Sequence, residues 1–248
     1  MLSYNPLPTD VECGCEDQEF KSENVYDVAR SKLRQGFIKK IFGILTAQLA
    51  VTAAVTIFFI NSQNAVRYVA NNPWTLLTSF GASFGILLAL IFSETLRRHH
   101  PWNTLALSAF TIAESVLVAF TCSVYDHRIV LMAVALTGAV VVALTIFAMQ
   151  TKVDFTRSYG FLTSLLMVVV VGSLMQMFLQ LRWLHFLIVS VSVILFSVYL
   201  VFDIQLIVDG GKYSISPDEY VFAAINIYLD IINLFLSILQ ILNDFNKN

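Results

Sequence analysis

This chain is short of charge. Aspartate, glutamate, lysine and arginine make up 13% of its 248 residues, about half of the quarter that a soluble domain carries, and that deficit excludes an ordinary water-soluble fold. Three cysteines, Cys13, Cys15 and Cys122, close at most one pair and exclude a disulfide framework. The closely spaced Cys13 and Cys15 read as free thiols on a loose tail, with lipidation or metal binding as the alternative. Five prolines and ten glycines are too few for a fibrous or low-complexity chain. A net charge of −2 leaves no broad basic surface for nucleic acid. A secretory signal is not expected, because the first apolar run begins at residue 41 and is too long for a signal core.

What the chain has is apolar length. Hydrophobic residues make up 57% of it and the mean hydropathy is +0.74. A helix needs about 20 apolar residues to cross some 30 Å of hydrocarbon. Seven runs qualify: Ile41–Ile60, Trp74–Ser93, Trp102–Cys122, Ile129–Met149, Phe161–Leu179, Leu184–Val208 and Val221–Asn243. The expected fold is therefore all-α and polytopic, with seven transmembrane helices in residues 41–248 and no second domain. Short connections make successive helices antiparallel. Residues 1–40 read as a largely disordered tail ending in a basic juxtamembrane helix. Lys and Arg favour one side of the membrane by eleven to four, with Arg67, Arg128, Arg182 and Lys247 on the poorer side. The richer side, which holds the N-terminus, is then cytoplasmic.

A carboxylate in a membrane span is costly and turns towards a bundle interior or an aqueous cavity. Asp203 lies about five residues from the end of the sixth run and Asp230 about nine residues into the seventh. Measured from their shared end they lie roughly 8 and 14 Å deep, so a modest tilt brings them together. In the seventh run Asn226, Asp230, Asn233, Ser237 and Gln240 recur at spacings of 4, 3, 4 and 3, one stripe of a helix. A helix apolar elsewhere and polar along that stripe belongs in the middle of the bundle, so the last helix is expected to be central. Ser192, Tyr199 and Asp203 align similarly on the sixth. Such stripes also serve as interhelical hydrogen-bonding glue. Two carboxylates in a low-dielectric site titrate as a unit, taking up a proton or, when both are ionised, a hard cation such as Ca²⁺. Arg97, at the cytoplasmic end of the second run, is the expected basic partner: a latch that pairs with the deprotonated site and lets go on protonation. Glu114, half-way along the third run, is a further pore-lining candidate. Asp218 and Glu219 suit a helix start or a pore mouth.

The stretch Tyr213–Leu242 (YSISPDEYVFAAINIYLDIINLFLSILQIL) resembles the C-terminal signature of the Bax-inhibitor/lifeguard family of membrane proteins. Further resemblance lies in Ser197–Gln205 (SVYLVFDIQ), Arg97–Glu114 (RRHHPWNTLALSAFTIAE) and Arg34–Phe42 (RQGFIKKIF). It runs from about residue 30 to the end and is nearest the lifeguard and Golgi anti-apoptotic branch. It implies a Ca²⁺ leak of endoplasmic reticulum or Golgi membranes that suppresses apoptosis, with Asp203 and Asp230 as pH sensor, Arg97 as gate, and a pore acid at Asp218 or Glu219. The partners implied are the bilayer, Ca²⁺ and protons, and cell-death regulators or other calcium channels. No cofactor is implied beyond Ca²⁺ as the transported ion. The alternative is a non-conducting membrane adaptor that regulates such channels or cell-death proteins. An aspartyl protease is disfavoured, since the aspartates stand in Phe202-Asp203 and Leu229-Asp230 and no GxGD occurs.

Overall fold

A computed structural model describes residues 15–93, 101–151, 153, 155, 159–208 and 219–247. Among these residues there are eight helices and no strand: α1 Cys15–Asn61, α2 Gln63–Asn71, α3 Trp74–Phe92, α4 Trp102–Ser123, α5 His127–Gln150, α6 Tyr159–Leu179, α7 Arg182–Val208 and α8 Tyr220–Lys247. Seven of them contain membrane-length apolar spans: Lys32–Asn61, Trp74–Phe92, Trp102–Ser123, His127–Gln150, Gly160–Leu179, Arg182–Val208 and Tyr220–Asn246. These coincide with the seven apolar runs to within a few residues, except that the first begins nine residues earlier. Backbone groups in hydrocarbon must be satisfied within the chain, and a helix does this through its own i−4 bonds, so each long apolar run becomes one.

Two segments differ from expectation. Residues 15–40, read as largely disordered, are helical and continuous with the first span; nothing in the run from Cys15 to Asn61 breaks a helix, for it contains no proline. The connection after it, for which no element was expected, holds the nine-residue helix α2. Ser62 caps it by accepting from the Ala65 amide at 3.4 Å. Val69 is buried in a cluster with Phe59 and Ala119, so α2 lies with its apolar side on the ends of α1 and α4. Pro73 and Pro101 stand at the entries of α3 and α4, and Asp126 caps α5 through the Arg128 amide at 2.9 Å. Gln180, with φ 49°, turns the chain out of α6.

The enclosure of the helices is uneven. In the last span 72% of the most apolar window is buried, against 11% in α3 and in α6. Helix α8 packs on α7, α1, α5 and α4, while α3 packs on α4 and α6 on α7. Ala223, Ala224, Ile225, Tyr228 and Leu234 of α8 are covered, with Ile41 of α1, Phe110 of α4 and Leu200 and Ile204 of α7 around them. Small side chains let helices approach closely. Phe80 and Phe84 of α3, Val168 and Phe178 of α6, and Leu131 and Val134 of α5 face outward, which is the arrangement lipid rewards.

Candidate functional site

The last two turns of α7 and the middle of α8 carry the candidate site. Asp203 and Asp230 are both buried, and their carboxyl groups lie side by side across the α7–α8 contact. Oδ2 of Asp230 is buried with no hydrogen-bond partner. Phe202, Ile204 and Ile207 bury the rest of this part of α7, because an apolar run with one acid in it can pack only if the acid meets a polar group on its neighbour.

The carboxyl-terminal turn of α7 is held from two sides. Arg34 of α1 donates to the Ile207 carbonyl from Nε at 3.1 Å and from Nη2 at 2.8 Å. Gln205 is buried and clasps the connection that precedes α6: its Nε2 donates to the Val153 carbonyl at 2.9 Å and its Oε1 accepts from the Phe155 amide at 3.0 Å. At the start of α8, the Tyr220 hydroxyl accepts from Asn103 Nδ2 at 3.1 Å and its ring lies 3.3 Å beneath the Lys40 ammonium.

Of the other sequence candidates, the polar stripe of α8 divides. Asp230 and Ser237 are buried, whereas Asn226, Asn233 and Gln240 lie along the half-covered edge of the helix. Asn233 and Ser237 bond backward to the Leu229 and Asn233 carbonyls, both at 2.8 Å. Ser192 likewise bonds to Ile188 in its own helix at 2.8 Å. Glu114 is apart from the aspartates: it is half-buried on α4, and its Oε2 accepts from Ser83 Oγ of α3 at 2.7 Å. Glu219 is half-buried in the short turn that leads into α8. Arg97 and Asp218 lie outside the described residues.

Two further polar groups escaped the sequence reading. Arg34 and Gln205 are one. The other is a seam in which Gln48 Nε2 donates to Thr111 Oγ1 at 3.0 Å, Thr52 Oγ1 lies 3.0 Å from Ser115 Oγ, and the Tyr228 hydroxyl is 2.8 Å from Thr52 Oγ1. The signal for it was the four-residue spacing of Gln48, Thr52 and Thr56 and of Thr111 and Ser115.

Chemically, the aspartate pair offers four carboxyl oxygens. Ca²⁺ takes six to eight, so backbone carbonyls or water would supply the rest; among the described residues no three His, Cys, Asp or Glu side chains converge. Comparison with known proteins gives consistent matches. A family model described as "Inhibitor of apoptosis-promoting Bax1" matches residues 34–247. Protein lifeguard 3 of Mus musculus is 34% identical over 214 residues, covering 85% of this chain and 69% of the relative. Its Homo sapiens counterpart is 33% identical over 87% of this chain and 70% of its own length. The Golgi anti-apoptotic protein of Vaccinia virus (strain Lister) is 33% identical over 97% of this chain and 99% of its own.

Proposed function

The chain belongs to the Bax-inhibitor family, and from that membership we propose that it is a pH-sensitive Ca²⁺ leak of intracellular membranes that restrains apoptosis. It is a multi-pass membrane protein of an apoptosis-regulating family, a regulatory rather than an enzymatic class. The observation that carries the leak reading is the meeting of Asp203 and Asp230 inside the bundle. Two carboxyl groups hydrogen-bond only when one holds a proton. Loss of that proton sets two like charges side by side in a poorly solvated place, which drives α7 from α8 or draws in a cation. The pair thus couples proton occupancy to helix contact and to cation affinity.

Arg97 serves in this reading as the cytoplasmic latch, closing on the deprotonated pair, and Asp218 or Glu219 as the mouth acid; Asn226, Asn233 and Glu114 line the route. The N-terminus is cytoplasmic on the Lys and Arg distribution. The Golgi membrane is the first place to look for the protein, given the viral relative's name.

The test is flux from liposomes loaded with a Ca²⁺ dye and containing the purified chain. Wild type is expected to leak faster at acid than at neutral pH. Asp203→Asn and Asp230→Asn are expected to abolish that dependence, and Arg97→Ala to raise flux at neutral pH. A pH response that survives both asparagine substitutions removes the carboxylate mechanism, and absence of flux at every pH makes the chain a non-conducting regulator.

A further inference from the structure

On the side of α8 turned away from Asp230, five buried polar side chains from three helices meet: Gln48 and Thr52 of α1, Thr111 and Ser115 of α4, and Tyr228 of α8. Polar groups within membrane spans are tolerated when their hydrogen-bonding capacity is used, so protons must be counted against lone pairs. Thr52 Oγ1 donates to the Gln48 carbonyl at 2.9 Å, Thr111 Oγ1 to the Leu107 carbonyl at 2.8 Å, and Ser115 Oγ to the Thr111 carbonyl at 2.6 Å. Each hydroxyl has one proton and two lone pairs. The Tyr228 hydroxyl and Thr52 Oγ1 lie 2.8 Å apart, and either can donate.

With the 3.0 Å contact between Thr52 Oγ1 and Ser115 Oγ, the hydroxyls of Thr52, Thr111, Ser115 and Tyr228 have four protons for five contacts, so one contact goes without a proton. The amide oxygen Oε1 of Gln48 is buried with no partner at all. The seam is therefore over-supplied with acceptors. A carboxyl group stands beside it: Glu114 adjoins Ser115 in the chain and lies close enough to act electrostatically on the Tyr228 hydroxyl. A groove of about 420 Å³ between α1 and α5 reaches Thr52. It is lined also by Thr56 and Thr137, whose hydroxyl oxygens are likewise buried and unpartnered.

Surplus oxygen lone pairs in a poorly solvated interior, with one carboxylate near them, are what a hard cation binds. We infer that the seam of Gln48, Thr52, Ser115 and Tyr228 is a second cation site, with Glu114 as its compensating charge. It lies across α8 from the aspartate pair and does not depend on the leak reading, since a chain that passes no ion can still hold one.

The experiment is equilibrium binding of labelled Ca²⁺ and, separately, labelled Na⁺ to the full chain in nanodiscs. The Asp203→Asn/Asp230→Asn protein is expected to retain one of the two ions. Adding Ser115→Ala or Glu114→Gln is expected to weaken that retention at least tenfold. If the doubly substituted protein does not fold, the same comparison is made on the wild-type chain, where one of two binding steps should vanish. Thermal unfolding gives an independent readout: replacing choline by the retained ion should raise the Tm of wild type, and Tyr228→Phe should shrink that rise. Binding unchanged by Ser115→Ala and Glu114→Gln, no ion retained without the aspartates, or an undiminished Tm rise in Tyr228→Phe would each reduce the seam to interhelical glue.

Discussion

The guanidinium of Arg34 grips the carbonyl oxygen of Ile207 with two donors, at 3.1 and 2.8 Å, across 173 residues of sequence. The last four carbonyls of a helix lack partners within it, and a cation there also complements the helix dipole. Ile207 is one turn beyond Asp203, so α1 steadies the turn from which that acid projects.

Arg34→Ala should therefore loosen the end of α7 more than the rest of the bundle. A hydrogen bond from a charged donor contributes about 1.5–3 kcal/mol, and that loss should appear as faster amide hydrogen exchange at residues 205–208. Arg34→Lys, which keeps the charge but not the paired donors, should fall between. Exchange unchanged in the alanine variant would mean the contact carries no stability.

Gln205 makes a parallel case. Gln205→Ala removes the partner of the Val153 carbonyl and the Phe155 amide. Because Val153 is exposed, water can replace it, so the loss should be the net value of about 0.5–1.5 kcal/mol per hydrogen bond. A spin label at position 153 should become mobile while one on α3 does not. If mobility at 153 stays that of wild type, another group holds this connection.

Thr52 and Tyr228 are expected to be coupled. Hydrogen bonds between membrane helices average about 0.6 kcal/mol, with a maximum near 1.7, so Thr52→Val and Tyr228→Phe should each destabilise by that order. Measured by unfolding in a double-mutant cycle, their effects should fall short of additivity. Strict additivity would mean that the 2.8 Å contact contributes nothing.

At the far end of the bundle Tyr125 gives a pH test. Burial first, then the nearby Asp244 carboxylate and Cys122 sulfur, hold its phenol above the ordinary value of 10.0. A group whose pKa is raised by folding contributes stability that is complete below its unfolded value and lost as pH rises through the folded one. Melting temperature should thus fall as pH rises past about 10, the ordinary value, and Tyr125→Phe should make that fall shallower. An identical alkaline profile in the variant would remove Tyr125 as its source.

The seven spans were legible because apolar length alone dictates them. The helix before Lys32 was not, since its polar composition resembles a tail, and α2 was missed because its apolar residues are few and set at helical spacing in a polar run. Within the site, Asp203 and Asp230 stood out as acids in apolar surroundings, and proximity along two joined antiparallel helices brought them together. Arg34 and Gln205 could not be found that way. Their partners are backbone atoms of Ile207, Val153 and Phe155, which no pattern of side-chain types marks. The hydroxyl seam was hidden for another reason: Thr and Ser are common in membrane helices and usually bond to their own backbone, as Thr46, Thr145 and Ser197 do here.

Asp230 and Tyr228 stand two residues apart on α8, about 200° around a helix that advances 100° per residue. One is fastened to α7 and the other to α1 and α4. Spinning α8 about its axis would tear both fastenings at once, so that helix acts as a keyed shaft. Any displacement that separates the aspartates while sparing the hydroxyls must therefore come from α7 tilting or sliding along it, with Arg34 at the pivot.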